Sequence, residues 1–437
     1  MKHLLTLAPA LIVALSLPVV ADAKLSPAEA KMAAHVEANY EPSVALLQQL
    51  VDVNSGSMNF AGVEQVGRMM RAELEPLGFK VEWKPMAAAN RAGHIFATHA
   101  GKPGTKRLLL IGHLDTVFEK DSPFQKFVRK GESGEGPGAG DDKGGMVVIL
   151  MALKAMKAAG TLAGANIEIA LTGDEEDAGD PIDVARADLI AAGKRADVAL
   201  DFEGLVTENG RDMGSVARRS SNSWTLTATG KAGHSSGIFS SGAGDGAIYE
   251  LARIVATFRK ELPEPNLTFN VGLIAGGQSA AFDTDGVRAT ATGKSNIIPG
   301  IAIAKGDFRT LSEEQTARVK AKMTAIVAAH APLTDAKIAF EAGGYPAMAP
   351  TDGNRAILTA LNGVNADLGL PEMPPLDPLK RGAGDISFVA NDVSGLAGLG
   401  PSSRGDHAPG ETVDLNSMKR QAKRAAILMT RLSGQRR

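Results

Sequence analysis

Leu108-Leu109-Leu110-Ile111-Gly112-His113-Leu114-Asp115-Thr116-Val117 is the stretch on which the reading of this chain turns. Four consecutive apolar residues predict a strand buried on both faces. The strand runs into His113 and Asp115, two positions apart, so on an extended backbone both side chains point the same way. A neutral imidazole ligates a metal well when its other ring nitrogen is held by a carboxylate, and His-x-Asp at a strand end can supply that pair. Taken alone the motif is more often structural than functional. Three carboxylate motifs and a late histidine follow it, and the set points to a metal site.

Around this strand the pattern is strand, Gly-rich loop, helix, strand. Further strands fit Leu108–Ile111, Ile167–Thr172 and Val198–Phe202, and a long apolar helix fits Met146–Ala158. That alternation predicts an α/β sheet with parallel elements, whose ligands bind in the crevice at the carboxyl ends of the strands. Upstream, Ser26-Pro27-Ala28-Glu29 is a capping box with Pro at the first helical position. A second helix fits Gly62 to Leu77, stopping at Gly78, and short strands fit Val81–Trp83 and His94–Thr98.

The texture changes near Arg218-Arg219-Ser220-Ser221. Trp224–Thr229 alternates as a strand, a helix fits Asp245–Phe258, and strands fit Leu267–Ile274 and Ile301–Phe308. Ser312-Glu-Glu-Gln315 caps a helix running to about Ala329, and a strand fits Lys337–Glu341. The order β-α-β-β-α-β is the ferredoxin-like pattern. Residues 219–343 are therefore expected to be an inserted unit, with 24–218 and 344–437 forming the two parts of one α/β/α domain.

Composition bounds the function. The 437 residues carry 49 Gly, 44% hydrophobic residues, only 4% aromatics and a net charge of -2. That is length enough for one large domain with an insertion, and its charge balance gives no sign of a nucleic-acid or anionic-membrane partner. Residues 1–23 read as a secretory signal: Lys2, an apolar Leu4–Val20, and a small-x-small Ala21-Asp22-Ala23. Pro9, Pro18 and the cleavage site favour removal over a retained anchor. Export is expected, most simply to a periplasm. The chain has no Cys, so neither a thiolate zinc site nor a Cys nucleophile is available.

Gly138-Ala-Gly-Asp141-Asp142-Lys143-Gly144-Gly145 is a Gly-rich loop entering a helix. A phosphate loop would need Gly-Lys-Ser/Thr, and two adjacent acids would repel a phosphate. Asp174-Glu175-Glu176-Asp177 places four acids at a strand end. Asp201-Phe202-Glu203 ends the next strand, and His407 sits in a Gly/Ser/Pro-rich loop before the last helix. Two divalent ions about 3.5–4 Å apart need a bridging carboxylate and separate His and carboxylate ligands on each ion. His113, Asp141, Glu176, Glu203 and His407 supply such a set, and one acid remains beside them as a general base. His94 and His99 are an odd number of positions apart on an expected strand and face opposite sides. His35 and His330 fall on expected helices away from the acidic motifs.

The motifs Gly-His113-Leu-Asp115-Thr-Val, Gly-Asp141-Asp-Lys-Gly-Gly, Asp-Glu175-Glu176, Phe-Glu203, Gly-Lys-Ala-Gly-His234, Ser-Asn296-Ile-Ile-Pro299, Asp307-Phe-Arg309 and His407-Ala-Pro-Gly-Glu411 stand in order along the chain. This set resembles the M20 family of dinuclear zinc peptidases, and within it the glutamate carboxypeptidase (carboxypeptidase G2-like) group. The resemblance implies a zinc-exopeptidase-like α/β/α catalytic domain with a ferredoxin-like α+β lid and dimerisation domain. It implies two Zn2+ per subunit, with Co2+ or Mn2+ as other candidates. Asp141 would bridge them, His113 and Glu203 would complete one site, and Glu176 and His407 the other. Asp115 would orient His113, and Glu175 would deprotonate the bridging water and pass the proton to the leaving amine. His234 would reach the partner subunit's site in a homodimer and stabilise the oxyanion. Asn296 and Arg309 would hold the substrate's free carboxylate, and Arg211 falls where a basic specificity residue is expected. The chain departs from the family at Gly204, where Pro is common, at Gly382-Ala-Gly384-Asp385, and at Tyr345, where glutamate-specific relatives carry a basic residue.

The leading expectation is an exported zinc exopeptidase of carboxypeptidase type, cutting a C-terminal amide of a peptide or N-acyl amino acid. An amidohydrolase or aminoacylase using the same machinery on a non-peptide conjugate is the runner-up. A non-catalytic binding homologue and a metal-independent Ser hydrolase, with Ser235 and Ser236 following His234, are the other classes. Loss of activity in chelator and its return with Zn2+ separates the metal reading from the last two.

Overall fold

A computed structural model describes residues 25–284 and 286–437. The expected signal segment, residues 1–23, lies outside the described residues. The central sheet has six strands. In chain order they are β1 (Lys80–Pro85), β2 (Gly93–His99), β3 (Arg107–His113), β4 (Asn166–Thr172), β5 (Val198–Asp201) and the short strand Gly395–Leu396. Their spatial order is β1-β2-β4-β3-β5 and then Gly395–Leu396. From β4 to the short strand the pairing is parallel, while β1 and β2 run antiparallel at one edge.

Helices cover both faces, which is why β3 reads as a continuous apolar run instead of alternating. Leu108 and Leu110 join one core with α1 (Pro27–Ala38), α2 (Tyr40–Val51), α3 (Phe60–Leu74), α4 (Lys143–Ala159), α8 (Asp352–Asp367) and α9 (Leu415–Ser433). Leu109 and Ile111 join the other, with α5 (Ala187–Arg195) and residues 386–397. The result is the α/β/α arrangement expected from the strand and helix order. The capping box at Ser26 and Glu29 forms as read. The second expected helix occupies Phe60–Leu74 and tightens into a 3-10 turn that ends at Gly78, φ 101°. Helix α2 escaped the sequence reading. Its N-cap Asn39 makes no side-chain cap bond, so no punctuation separates it from α1.

Residues 222–340 build a second sheet of β6 (Asn222–Gly230), β7 (Thr268–Gly277), β8 (Ile301–Arg309) and β9 (Thr334–Phe340), in the order β7-β8-β6-β9. Every pairing is antiparallel. Helices α6 (Ala247–Glu261) and α7 (Glu313–Ala328) pack on one face. They bury Trp224, Leu226, Leu251, Ile254, Phe258, Val319 and Met323 in a core of their own. A hairpin of Ser279–Phe282 and Ala289–Thr292 is added between β7 and β8, which the six-element pattern did not include. His330 is not helical as expected. It lies beyond the end of α7 and sits 3.5 Å from Glu250 and 3.3 Å from Asp335. The chain passes between the two sheets twice, at the antiparallel bridges Arg218–Met348 and Ser221–Tyr345.

Leu226 is fully buried in this second core, so Leu226→Ala should cost about 2–5 kcal/mol through lost transfer energy and the cavity left behind. The chain has two tryptophans, and Trp224 lies in the same core while Trp83 lies on β1. In a Trp83→Phe background, the denaturant midpoint read by fluorescence should fall; an unchanged midpoint would contradict the packing.

Candidate metal centre

The carboxyl ends of β3, β4 and β5 lie side by side, and each hands acidic or imidazole groups to one crevice. His113 is buried at the end of β3, with Nε2 3.0 Å from Asp141 Oδ1. The other oxygen of Asp141 faces His407 Nε2 at 3.2 Å. His407 Nε2 also lies 3.1 Å from Glu176 Oε2. One carboxylate therefore stands between two imidazoles, an oxygen to each. His113, Asp141 and Glu176 offer donor atoms that all lie within 4.8 Å of one another.

Each member is held from behind. His113 Nδ1 lies 3.2 Å from the backbone carbonyl of Asp115, its hydrogen-bond partner, and 3.4 Å from the Asp115 carboxylate oxygen Oδ1. The Asp115 carboxylate also accepts the Ser57 hydroxyl at 2.6 Å and the backbone N–H groups of Glu175 and Glu176 at 3.0 and 3.1 Å. One buried carboxylate thus sets both the imidazole and the backbone that carries the two glutamates. Glu411 does the same for the Gly-rich loop, accepting the N–H groups of Gly138, Gly140 and Asp141 at 2.9, 2.7 and 3.1 Å. Gly145 is required by close approach: a Cβ there would sit 2.1 Å from the Phe202 carbonyl, where α4 meets the end of β5.

Glu203 stands apart from the three-residue group. Its Oε2 lies 2.5 Å from Arg218 Nη1 and 3.3 Å from Arg381 Nη2. Neither arginine was picked out as a site residue. Arg218 fell within the basic pair where the sequence texture changes, and Arg381 sits in a loop with no periodic signal. Nε of Arg381 is buried with no partner among the described residues.

Charge crowding dominates the electrostatics. Burial, with Glu203 next, pushes the Glu175 carboxyl well above its usual range. Burial and the neighbouring Asp141 push Glu176 up to about 7 despite the His407 hydrogen bond. Burial and Glu203 push Asp201 up to about 7. The imidazoles respond in the opposite sense. Burial opposes charging of His113, but Asp115 and Asp141 outweigh it and hold it well above the ordinary value. Hydrogen bonds to Asp141 and Glu176 push His407 up to about 11. Without cations, this crevice has to carry protons. Its donors are imidazole nitrogens and carboxylate oxygens, and Asp142 Oδ1 is buried with no partner among the described residues. The set fits divalent ions that accept N and O ligands.

The residues expected to hold substrate lie elsewhere. His234 is exposed, its Nδ1 2.8 Å from Ser236 Oγ. Asn296 is an exposed neighbour, its carbonyl accepting the Ser235 N–H. Arg309, at the end of β8, lies 3.5 Å from Asp307 and reaches toward the Gly382 loop. Arg211 is not brought to the crevice; it sits on the hairpin of Thr207–Glu208 and Arg211–Asp212 and donates to the Glu372 carbonyl. Gly233-His234-Ser235-Ser236-Gly237 spells a nucleophile-elbow pattern, but a two-residue strand and an exposed 3-10 turn carry it. That is not the buried strand-to-helix turn the elbow needs.

The chain belongs to peptidase family M20/M25/M40, whose family model matches residues 109–431. It is 28% identical over 402 residues to carboxypeptidase G2 of Pseudomonas sp. strain RS-16, covering 88% of each chain. It is 24% identical over 393 residues to a succinyl-diaminopimelate desuccinylase of Leptothrix cholodnii, covering 86% of this chain and 95% of that one. In fold it is similar to a dinuclear metal-binding M20 peptidase of Bacillus subtilis, with a TM-score of 0.63 at 15% identity over 91% of this chain and 99% of that one. The chain is thus a hydrolase of the metallopeptidase and amidohydrolase class.

Asp115 stands behind His113 and holds the backbone of both glutamates. Removing such an outer carboxylate typically costs about 10–100-fold in metal affinity. Asp115→Ala should show that loss in competition with a fluorescent chelator; affinity equal to the parent's would remove Asp115 from this role.

Proposed function

We propose that this chain is an exported zinc exopeptidase of carboxypeptidase type, hydrolysing the C-terminal amide of a peptide or N-acyl amino acid. The observation that carries the reading is Asp141, with one oxygen toward His113 and the other toward His407, beside the half-buried Glu175, whose carboxylate has no hydrogen-bond partner among the described residues. Two divalent ions would be held by Asp141 between His113 with Glu203 and Glu176 with His407. Zn2+ is the first choice for these donors, ahead of Co2+ or Mn2+. Bound there, the ions supply Lewis acidity toward a carbonyl and lower the pKa of water. For Glu203 to take part it has to exchange Arg218 and Arg381 for the ion.

The remaining work falls to the chain's own residues. The Glu175 carboxylate makes no side-chain hydrogen bond among the described residues, so it is free to receive a proton from the attacking water and pass it to the leaving amine. Without cations, burial and Glu203 raise its pKa, and the positive charge of bound ions would draw it back toward the range in which a carboxylate accepts a proton. Arg309 and Asn296 would bind the free carboxylate, for which the guanidinium fork is suited. His234 would donate to the oxyanion of a partner subunit's substrate. A second copy is the occupant proposed for the apolar face of residues 222–340, where Phe239, Ile248, Tyr249 and Ile274 are all exposed. Export is proposed from the apolar segment and small-x-small site within residues 1–23. Among the described residues no helix is long and apolar enough to cross a membrane. A non-peptide N-acyl substrate is the second reading, favoured by the likeness to a desuccinylase along most of the chain.

Hydrolysis of an N-acyl amino acid panel, with the released residue varied, tests the proposal. Activity should vanish in chelator and return with Zn2+; activity indifferent to chelation would end the metal reading. Glu175→Gln should keep its metals and lose about 10²–10⁴-fold in kcat, and turnover near the parent's would exclude Glu175 as base. Asp141→Ala should lose more than one metal equivalent by elemental analysis. Mixing inactive Glu175→Gln with inactive His234→Ala should restore part of the activity, because each mixed dimer has one site with both groups intact. No recovery after demonstrated subunit exchange would exclude the arrangement in trans.

A further inference from the structure

Behind the loop that carries Glu175 lies a buried polar cluster that the proposed reaction does not use. Arg186 is fully buried. Its Nε donates to Asp385 Oδ1 at 2.8 Å, Nη1 to Asp174 Oδ1 at 2.5 Å, and Nη2 to the Asp174 carbonyl at 3.0 Å and to Tyr345 Oη at 2.9 Å. Asp385 also accepts the Thr172 hydroxyl at 2.5 Å. Tyr345 Oη donates in turn to the backbone carbonyl of Glu175 at 2.8 Å. Because Arg186 has only protons to give, it occupies a lone pair of the phenol oxygen and leaves the phenol proton to point at Glu175.

The backbone of Glu175 is thus held on both sides, its N–H by Asp115 and its carbonyl by Tyr345. The two holders come from different places. Asp115 follows β3 of the central sheet. Tyr345 lies where the chain returns from the second sheet, and its backbone N–H and carbonyl both bond to Ser221 on the outgoing strand, at 2.9 and 3.0 Å. Its ring packs edge-on against Phe388 at 4.9 Å.

We propose that Tyr345 is a positioning residue, tying the crossing between the two sheets to the carbonyl of Glu175 and so fixing where the base carboxylate stands. The inference rests on the reading of Glu175 as general base.

Tyr345→Phe removes one oxygen atom and leaves the ring packing in place. Small displacements of a reacting group can cost up to about 100-fold, so kcat should fall by about 10-fold or more with KM unchanged. The same factor should apply across the N-acyl amino acid panel, with zinc content and Tm as in the parent. Hydrogen exchange of a peptide covering residues 172–178 should be faster, a readout that needs no turnover. An unchanged kcat, a loss that differs from substrate to substrate, or a loss accompanied by zinc release each overturns the proposal. Glu175→Gln is measured in parallel. If it turns over like the parent, the base reading fails by itself, and the exchange rate of 172–178 still decides whether Tyr345 holds the loop.

Discussion

Mutual repulsion among buried carboxylates is the constraint on which the rest of this structure depends. Asp141, Asp142, Glu175, Glu176, Asp201 and Glu203 converge on the carboxyl ends of three adjacent parallel strands. Such groups cannot all ionise in a low-dielectric crevice, since at interior separations like charges repel by several kcal/mol. The raised pKa values of Glu176 and Asp201, both about 7, express that strain. A protein that assembles this many acids needs positive charge inside the cluster, and divalent ions bound there would answer that need more fully than protons do.

The surroundings share the load in two different ways. Toward the crevice, Arg218 and Arg381 meet Glu203, and His113 and His407 meet Asp141. Away from it, Arg186 takes up the outward-turned Asp174 together with Asp385. The acidic run Asp174-Glu175-Glu176-Asp177 is therefore divided by direction. Asp174 belongs to the scaffold, Glu175 and Glu176 belong to the site, and Asp177 pairs with Arg91 at the surface. Buried pairs of this kind gain little over apolar packing, but losing one partner costs about 3–5 kcal/mol. Their value here is in fixing a loop whose two central side chains face the crevice.

Much of this was legible in the sequence because strand ends and helix starts carry local signals. The apolar run into His113, the Gly-rich entry to α4 and the capping box at Ser312 each depend on neighbours within a few residues. So the layer order, and the meeting of His113, Asp141, Glu176 and His407 in one crevice, follow from local pattern, while Glu203 stands apart with Arg218 and Arg381. Arg186, Arg381 and Tyr345 were not legible in that way. Arg186 meets Asp385 across 199 positions of chain, and Tyr345 meets the Glu175 carbonyl across 170. Neither contact leaves any periodicity. Tyr345 was noticed only as a departure from related sequences, and its partner turned out to be backbone, which no residue pattern encodes. The pairing of Glu203 with two arginines was hidden for the same reason.

The second sheet gives these long contacts their meaning. It has its own core and is joined to the first by two antiparallel crossings, at Arg218–Met348 and Ser221–Tyr345. Both crossings are occupied by residues that reach the crevice. Arg218 turns its guanidinium onto Asp201 and Glu203, while Tyr345 turns its hydroxyl onto the carbonyl of Glu175. The groups proposed to recognise substrate, His234, Asn296 and Arg309, stand beyond those crossings and away from the acids. Arg218 thus grips two carboxylates and Tyr345 a backbone carbonyl, one residue from each passage of the chain between the sheets. The two sheets are thus tied to one crevice through short, directional contacts of Arg218 and Tyr345, although each sheet keeps a core of its own.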